Sequence, residues 1–293
     1  MIAAKSVRFF LRYAADDPLR FAGMLRRRAV ERFSTPPSGA VTTHFGDVDY
    51  PVDLSIHRLM TKYFFHTHEM FLERIFDRHL TPGRVFIDIG ANCGYWSAQA
   101  LARVGRGGAV HAFEPVPHYF AVLRRLHELN PEHTVFVNNC ACGAETGRFP
   151  MAVVPPRRDN FDNYDTNVGS SSLQPGFLDH DRELTETIAV EVMRFDRYAA
   201  GHGIDPDSIG LIKIDVEGFE LPVLTGMAEI LAKPGRKVPI LCEILTDLAR
   251  PKPLDGGKVI DTLQNFGYRC LNATNLRPID RHRLGFEENV LCV

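Results

Sequence analysis

The chain lacks a long apolar run. No stretch reaches the roughly 18 residues that a membrane-spanning helix requires, and no signal-type apolar core with a small-residue cleavage site stands near its start. Cytoplasmic residence is therefore expected. A dominant charge of one sign is lacking too: 34 Lys and Arg meet 36 Asp and Glu, for a formal net charge of −2. That balance, with no nucleic-acid motif beside it, argues against a nucleic-acid partner. Cysteine is scarce. Cys93, Cys140, Cys142, Cys242, Cys270 and Cys292 follow no disulfide framework, and Cys140-Ala141-Cys142 is too tight for C-x-x-C redox or zinc chemistry. All six read as reduced, buried, small apolar residues. Two phosphate-binding signatures are also missing. Asn92 stands where a dinucleotide fingerprint needs its middle glycine, and no lysine follows Gly94 as a P-loop would require.

What is present is a strand, a glycine turn and a helix in succession. Val85-Phe86-Ile87-Asp88-Ile89 is an apolar, β-branched run suited to a strand covered on both faces of a parallel sheet. The turn runs from Gly90 to Gly94, and after it Trp96, Ala100 and Val104 recur once per helical turn. Ligands meet such a unit at the carboxyl end of the strand, where Gly90 and Gly94 can take positive φ. Asp88 adds a charge that suits a ligand with an ammonium group, such as the methionine end of S-adenosylmethionine. The next strand is 109–113, closed by Glu114-Pro115. An acid at Glu114, roughly 20 residues past the turn, is placed to accept hydrogen bonds from both ribose hydroxyls. The plainer alternative is a carboxylate favoured by a helix N-terminus.

Three segments together carry a resemblance: Asp88-Ile89-Gly90-Ala91-Asn92-Cys93-Gly94-Tyr95, then Phe113-Glu114-Pro115, then Ile212-Lys213-Ile214-Asp215-Val216-Glu217-Gly218-Phe219-Glu220. In this order and spacing, from about Arg84 onward, the chain resembles the FkbM family of S-adenosylmethionine-dependent methyltransferases. The resemblance implies an α/β, Rossmann-like class I methyltransferase fold: a seven-stranded, mostly parallel sheet with helices on both faces. It also implies S-adenosyl-L-methionine as cofactor and O-methylation of a hydroxyl on a sugar, a glycan or glycolipid, or a natural product. The first 80 residues are poorly covered. The expected organisation is a helical and hairpin extension over 1–80 and a methyltransferase domain over 81–293.

Candidate cofactor contacts begin with Asp88 and the turn residues Gly90, Ala91, Asn92, Gly94 and Tyr95. Glu114 and Pro115 follow on the next strand, and Asn138 and Asn139 end a third strand near the adenine. Strand alternation turns only one of those two amides to the pocket. Glu69 lies in an approach segment of one or two helices predicted over 55–78, above the methionine end. His66 and His68 flank it, but residues two apart do not share a helix face, and no metal is expected there. Asp215 ends a fourth parallel strand over 209–215, with Glu217 and Glu220 beyond it, and Glu243 ends a fifth over 238–243. Three acids within six residues beside the cofactor strand read as a site. Methylating a hydroxyl also removes its proton. Asp215, which also counts as a cofactor contact, is the first candidate base, Glu217 the second, with Glu243 and His118 behind them. A metal-free site is expected; magnesium held by the same carboxylates is the alternative.

Residues 1–33 read as one or two amphipathic helices, with a stripe of Val7, Phe10, Leu11 and Ala14 resumed at Leu19 and Phe21. Residues 1–34 hold eight Lys and Arg against three Asp and Glu. Packing on the domain, or on a second copy in a homo-oligomer, is expected ahead of peripheral membrane contact through Arg26-Arg27-Arg28. A linker over 34–39 and a hairpin around Gly46-Asp47 follow. The irregular stretch 155–186, with aromatics, amides and hydroxyls at 159–164 and 167–172, reads as a substrate lid. A helix over 255–266 and an antiparallel edge pair, 268–271 with 289–293, complete the chain. Two other readings compete. A nucleotide-binding oxidoreductase is opposed by the absent middle glycine, and a non-catalytic recruitment module by the intact Asp88, Glu114 and Asp215.

Overall fold

The computed structural model describes residues 17–55, 59–154, 171–177, 185–248 and 253–293. The apolar stripe at Val7, Phe10, Leu11 and Ala14 and the lid residues 159–164 and 167–170 lie outside them. Helix α1 (Pro18–Phe33) is capped by Asp17, which accepts from the Arg20 amide at 3.0 Å. Pro18 sits in the first turn, where its missing N–H is not needed. The hairpin forms as predicted: β1 (Ala40–Phe45) pairs with β2 (Val48–Asp53), Phe45 opposite Val48. Strand β2 alternates, and its inward residues Val48, Tyr50 and Val52 join the same core as Trp96, Leu101 and Leu123. Burial of each such side chain stabilises by roughly 1.5–3 kcal/mol, so this packing seats the hairpin.

The approach segment takes its two-helix form, but Glu69 falls between the helices and not within one. It forms α2 (Leu59–Phe64), a single 3₁₀ turn (Met70–Leu72) and α3 (Glu73–His79). Between α2 and the turn the backbone is left-handed at His66 (φ 55°) and Glu69 (φ 38°), which ends the helix and redirects Glu69. Next come β3 (Val85–Ile89), α4 (Tyr95–Val104), β4 (Ala109–Phe113), α5 (Pro117–Leu129) and β5 (Thr134–Asn138). A second, three-stranded sheet follows: β6 (Ala141–Cys142), β7 (Gly147–Val153) and β8 (Glu186–Met193), in the order β6-β8-β7. Strand β8 stops at Met193, and Phe195 opens α6 (Phe195–Gly201). Then come β9 (Ile209–Ile214), α7 (Glu220–Gly226), α8 (Ala228–Ala232), β10 (Ile240–Leu245), α9 (Gly256–Asn265), β11 (Cys270–Asn272) and β12 (Glu287–Cys292).

The main sheet has the order β11-β12-β10-β9-β3-β4-β5. The run from β10 to β5 is parallel, and β12 is antiparallel to both its neighbours. Alternation divides the strands between two cores. Phe86, Val110, Ala112 and Leu211 enter the one shared with α4, α5 and the hairpin. Ile87, Ile89, Phe113, Ile212 and Ile214 enter the other, with side chains of α6 to α9. Helices therefore cover both faces, as near-continuous apolar strands require. Strand β10 runs two residues past its predicted end, since Ile244 and Leu245 are buried and pair with β12. All six cysteines are free and buried. No described helix is long and apolar enough to cross a membrane.

Candidate active site

One cavity of about 880 Å³ opens at the carboxyl ends of the parallel strands. Sheet order ranks what reaches it: Glu243 from β10, Asp215 after β9, the turn 90–92 after β3, and Glu114 after β4. The gap between β9 and β3 is where strand order reverses, the usual ligand crevice of an open α/β sheet.

Close approach of β3 and β9 dictates the first glycine. Gly90 has φ 84°, and a Cβ there would overlap the Asp215 carbonyl. Asn92 is left-handed as well (φ 50°), and its amide donates to Glu114 Oε2 at 2.8 Å. The Val116 amide donates to Glu114 Oε1, also at 2.8 Å. Glu114 thus ties the turn to the start of α5. Burial pushes its carboxyl up to about 7, against the pull of those two amides.

On the other side of β3, the carboxylates of Asp215, Glu217 and Glu243 present oxygens within 4.8 Å of one another. Burial, together with the charge of Asp215, raises both Glu217 and Glu243 well above the usual carboxylate range. Glu217 also sits in a left-handed backbone (φ 51°), and Ser172 Oγ donates to its carbonyl at 2.6 Å. A non-glycine residue held there is strained and must be held by its surroundings. Asp215 differs from its neighbours: Lys213 Nζ lies 2.5 Å from its Oδ2. Lys213 is 3% exposed and stands in register beside Asp88. Burial alone would depress its ammonium, but Asp215, Asp88 and Glu69 outweigh that and hold it above the usual lysine value.

Most of the predicted residues converge on the cavity. Gly90, Ala91, Asn92, Tyr95, Glu114 and Pro115 line it, as do Glu69, Asp215, Glu217 and Glu243. Five others do not. Asp88 is buried beneath the wall, where its Oδ2 accepts from Ser97 Oγ at 2.6 Å, and burial raises it to about 6. Gly94 faces α5 instead, where a Cβ would press on Leu123. His118 lies on the first turn of α5 outside the lining, and its neighbour Tyr119 takes the place predicted for it. Asn138 donates to the Ala112 carbonyl at 3.0 Å, and Asn139 to the Glu114 carbonyl at 2.9 Å. Both brace the strand that carries Glu114. Glu220 also turns away, accepting from the Gly218 amide at 2.8 Å. Glu243 projects from the middle of β10, not its end.

Several lining residues were not anticipated. Lys213 had a legible signal, a lysine interrupting an apolar run two positions before Asp215 and so on its face of the strand. His68 lines the cavity with Nε2 3.2 Å from Glu69 Oε2, and against its burial the interactions with His68, Lys213 and Asn289 draw Glu69 down to about 2. On the Glu114 side, Val116, Tyr119, Ala141, Cys142 and Phe219 form an apolar slot. Ser171 Oγ in the same lining is buried and has no partner among the described residues. Phe21, Met24, Leu25 and Arg28 of α1 line the cavity too, with no sequence pattern that announces it.

Residues 88–270 match the family model described as the methyltransferase FkbM domain. The 31-O-demethyl-FK506 methyltransferase FkbM of Streptomyces tacrolimicus is 32% identical over 178 residues, 55% of this chain and 67% of that protein. Methyltransferase 1 of Beauveria bassiana is 29% identical over 163 residues, 54% of this chain and 65% of that protein. The solved structure of methyltransferase FkbM from Methylobacillus flagellatus KT superposes with a TM-score of 0.40 at 15% identity, over 96% of this chain and 60% of that one.

Proposed function

The chain belongs to the FkbM methyltransferase family, and from that premise we propose that it carries the methyl group of S-adenosylmethionine to an oxygen of a hydroxyl-bearing acceptor. Candidate acceptors are a sugar, a glycan or glycolipid, or a natural product. In this reading residues 81–293 form the catalytic unit and 1–80 its extension. One observation carries the proposal: Glu114 with its apolar neighbours and a cluster of three carboxylates line a single cavity of about 880 Å³.

The residues present fit that cofactor. Glu114 keeps lone pairs free for two ribose hydroxyls after accepting two backbone amides. The slot of Val116, Tyr119, Ala141, Cys142 and Phe219 suits a flat base, and Ser171 Oγ is available to its edge. Asp215, which also lines the cavity, is the hydrogen-bond acceptor offered to an ammonium group. When bound, S-adenosylmethionine supplies an electrophilic methyl group on a sulfonium.

The protein's part is to align the acceptor, exclude water and remove a proton. Alignment alone can lower the barrier by roughly 7–11 kcal/mol in favourable cases. For the proton, the structure favours reversing the order expected from sequence. Asp215 is engaged by Lys213, whereas Glu217 has its affinity for a proton raised by burial and by the Asp215 charge. A carboxylate so raised is the stronger base, and general-base catalysis by a positioned side chain is worth roughly 10²–10⁴ in rate. Glu217 is the base in this reading, with Glu243 beside it and no metal required.

The test follows turnover with labelled cofactor across hydroxylated acceptors. Glu217→Gln should lose roughly two to four orders of magnitude while S-adenosylhomocysteine binds as before, and a chelator should change nothing. Near-normal turnover in both Glu217→Gln and Asp215→Asn would remove the acidic cluster from the mechanism. Loss on chelation, restored by magnesium, would replace the metal-free version.

A further inference from the structure

Helix α1 lies outside the residues that match the family model, yet Phe21, Met24 and Leu25 line the cavity. The helix is fastened in that position. Arg20 Nη2 donates to Asp77 Oδ2 at 2.6 Å, and Arg27 grips Glu73 with bonds of 2.7 and 2.8 Å. Met24 falls between these arginines on the same helix face and is buried on Met70, with Phe21 and Phe71 against them. Met70 and Phe71 line the cavity in turn. They directly follow Glu69, whose carboxylate accepts from Asn289 of β12 at 3.0 Å. By sheet order this is the Glu243 end of the cavity, across β9 and β3 from Glu114. The acidic floor therefore continues into an apolar wall on the side away from the cofactor slot.

From this continuity we propose that the acceptor is amphipathic. Its hydroxylated head lies at Asp215, Glu217 and Glu243, and an apolar tail or ring system lies along Phe21, Met24, Leu25 and Phe71. The proposal rests on the methyl-transfer reading and names the acceptor class for it. Space is sufficient, since about 880 Å³ is near the top of the roughly 300–1,000 Å³ usual for small-molecule sites. Leu25 is also 53% exposed, and an apolar tail would take that surface out of water.

Methyl, butyl, hexyl and octyl glucoside, below their micellar concentrations, are suitable probes. Their binding is measured by calorimetry on the full chain saturated with S-adenosylhomocysteine. Affinity should rise roughly threefold to fourfold per methylene that is buried. Leu25→Asp should flatten that rise, and the half-exposed position makes the substitution compatible with folding. Leu19→Asp, at an 86% exposed site on the same helix outside the cavity lining, should preserve it. Equal affinity along the series, no binding of octyl glucoside, or a rise retained in Leu25→Asp overturns the proposal. S-adenosylhomocysteine binding is recorded first on each protein. Its absence from the parent chain overturns the methyl-transfer reading and this proposal together, whereas its presence with a flat series overturns only the acceptor class.

Discussion

At position 114 a carboxylate is buried among backbone amides, with no cation paired to it among the described residues. Burial holds it at about 7, against 4.5 for an ordinary glutamate. With its folded value raised, the native protein keeps a proton that the unfolded chain releases. The stability this lends is fully present below about 4.5 and is lost as pH rises through about 7. Glutamine cannot ionise. The melting temperature of Glu114→Gln should therefore gain on the parent's as pH goes from 4.5 to 7 and run parallel to it above that. A difference that does not vary with pH would show that Glu114 titrates alike folded and unfolded. Legibility at this scale followed backbone demands. Gly90 and Glu114 were readable because a turn and a strand end leave little choice of residue. Asp88 was placed one layer too shallow, and Asn138 and Asn139 were assigned to ligand when they brace β4. Short polar side chains near a site serve backbone and ligand alike, and spacing does not separate the two.

Among the elements, the parallel strands were readable as apolar runs and α9 by Gly267, which follows its end at φ 86°. Two things were not. The break at His66 and Glu69 depends on tertiary contacts that override local helix preference. The position of α1 depends on partners more than 40 residues away, Glu73 and Asp77, which an amphipathic stripe does not identify. The pairing of Arg27 with Glu73 supplies the handle for a test. Glu73 is buried, so Arg27→Met leaves a carboxylate without its bidentate donor. Amide hydrogen exchange over 21–32 should quicken by roughly tenfold or more, while β3, in the core, keeps its protection. Unaltered exchange in α1 would show that Met24 and Phe21 seat the helix without the ion pair.

For the whole molecule, the cavity draws on both sheets: β3, β9, β10 and β12 of the sheet ordered β11-β12-β10-β9-β3-β4-β5 line it, and so do β6 and β7 of the second sheet. Ligand binding should therefore be felt globally. S-adenosylhomocysteine at about a hundred times its Kd should stabilise the fold by about 2.7 kcal/mol. For a chain of this length that corresponds to a melting shift on the order of 5 °C. Calorimetric scans with and without the ligand check it, and a shift confined to part of a split transition would show that the two sheets are not one unit.

The pairing of β3 with β9 sets Asp88 beside Lys213 and brings Gly90 against Asp215. These residues are far apart along the chain, with five other strands between them in sequence. Closing so long a loop must be accomplished before the contact gives anything back. A folding chain in which this pair is still open has a glycine turn and an acidic strand end but no crevice between them. The cofactor can therefore stabilise the finished protein, but it cannot act as a template for the intermediates that precede that closure.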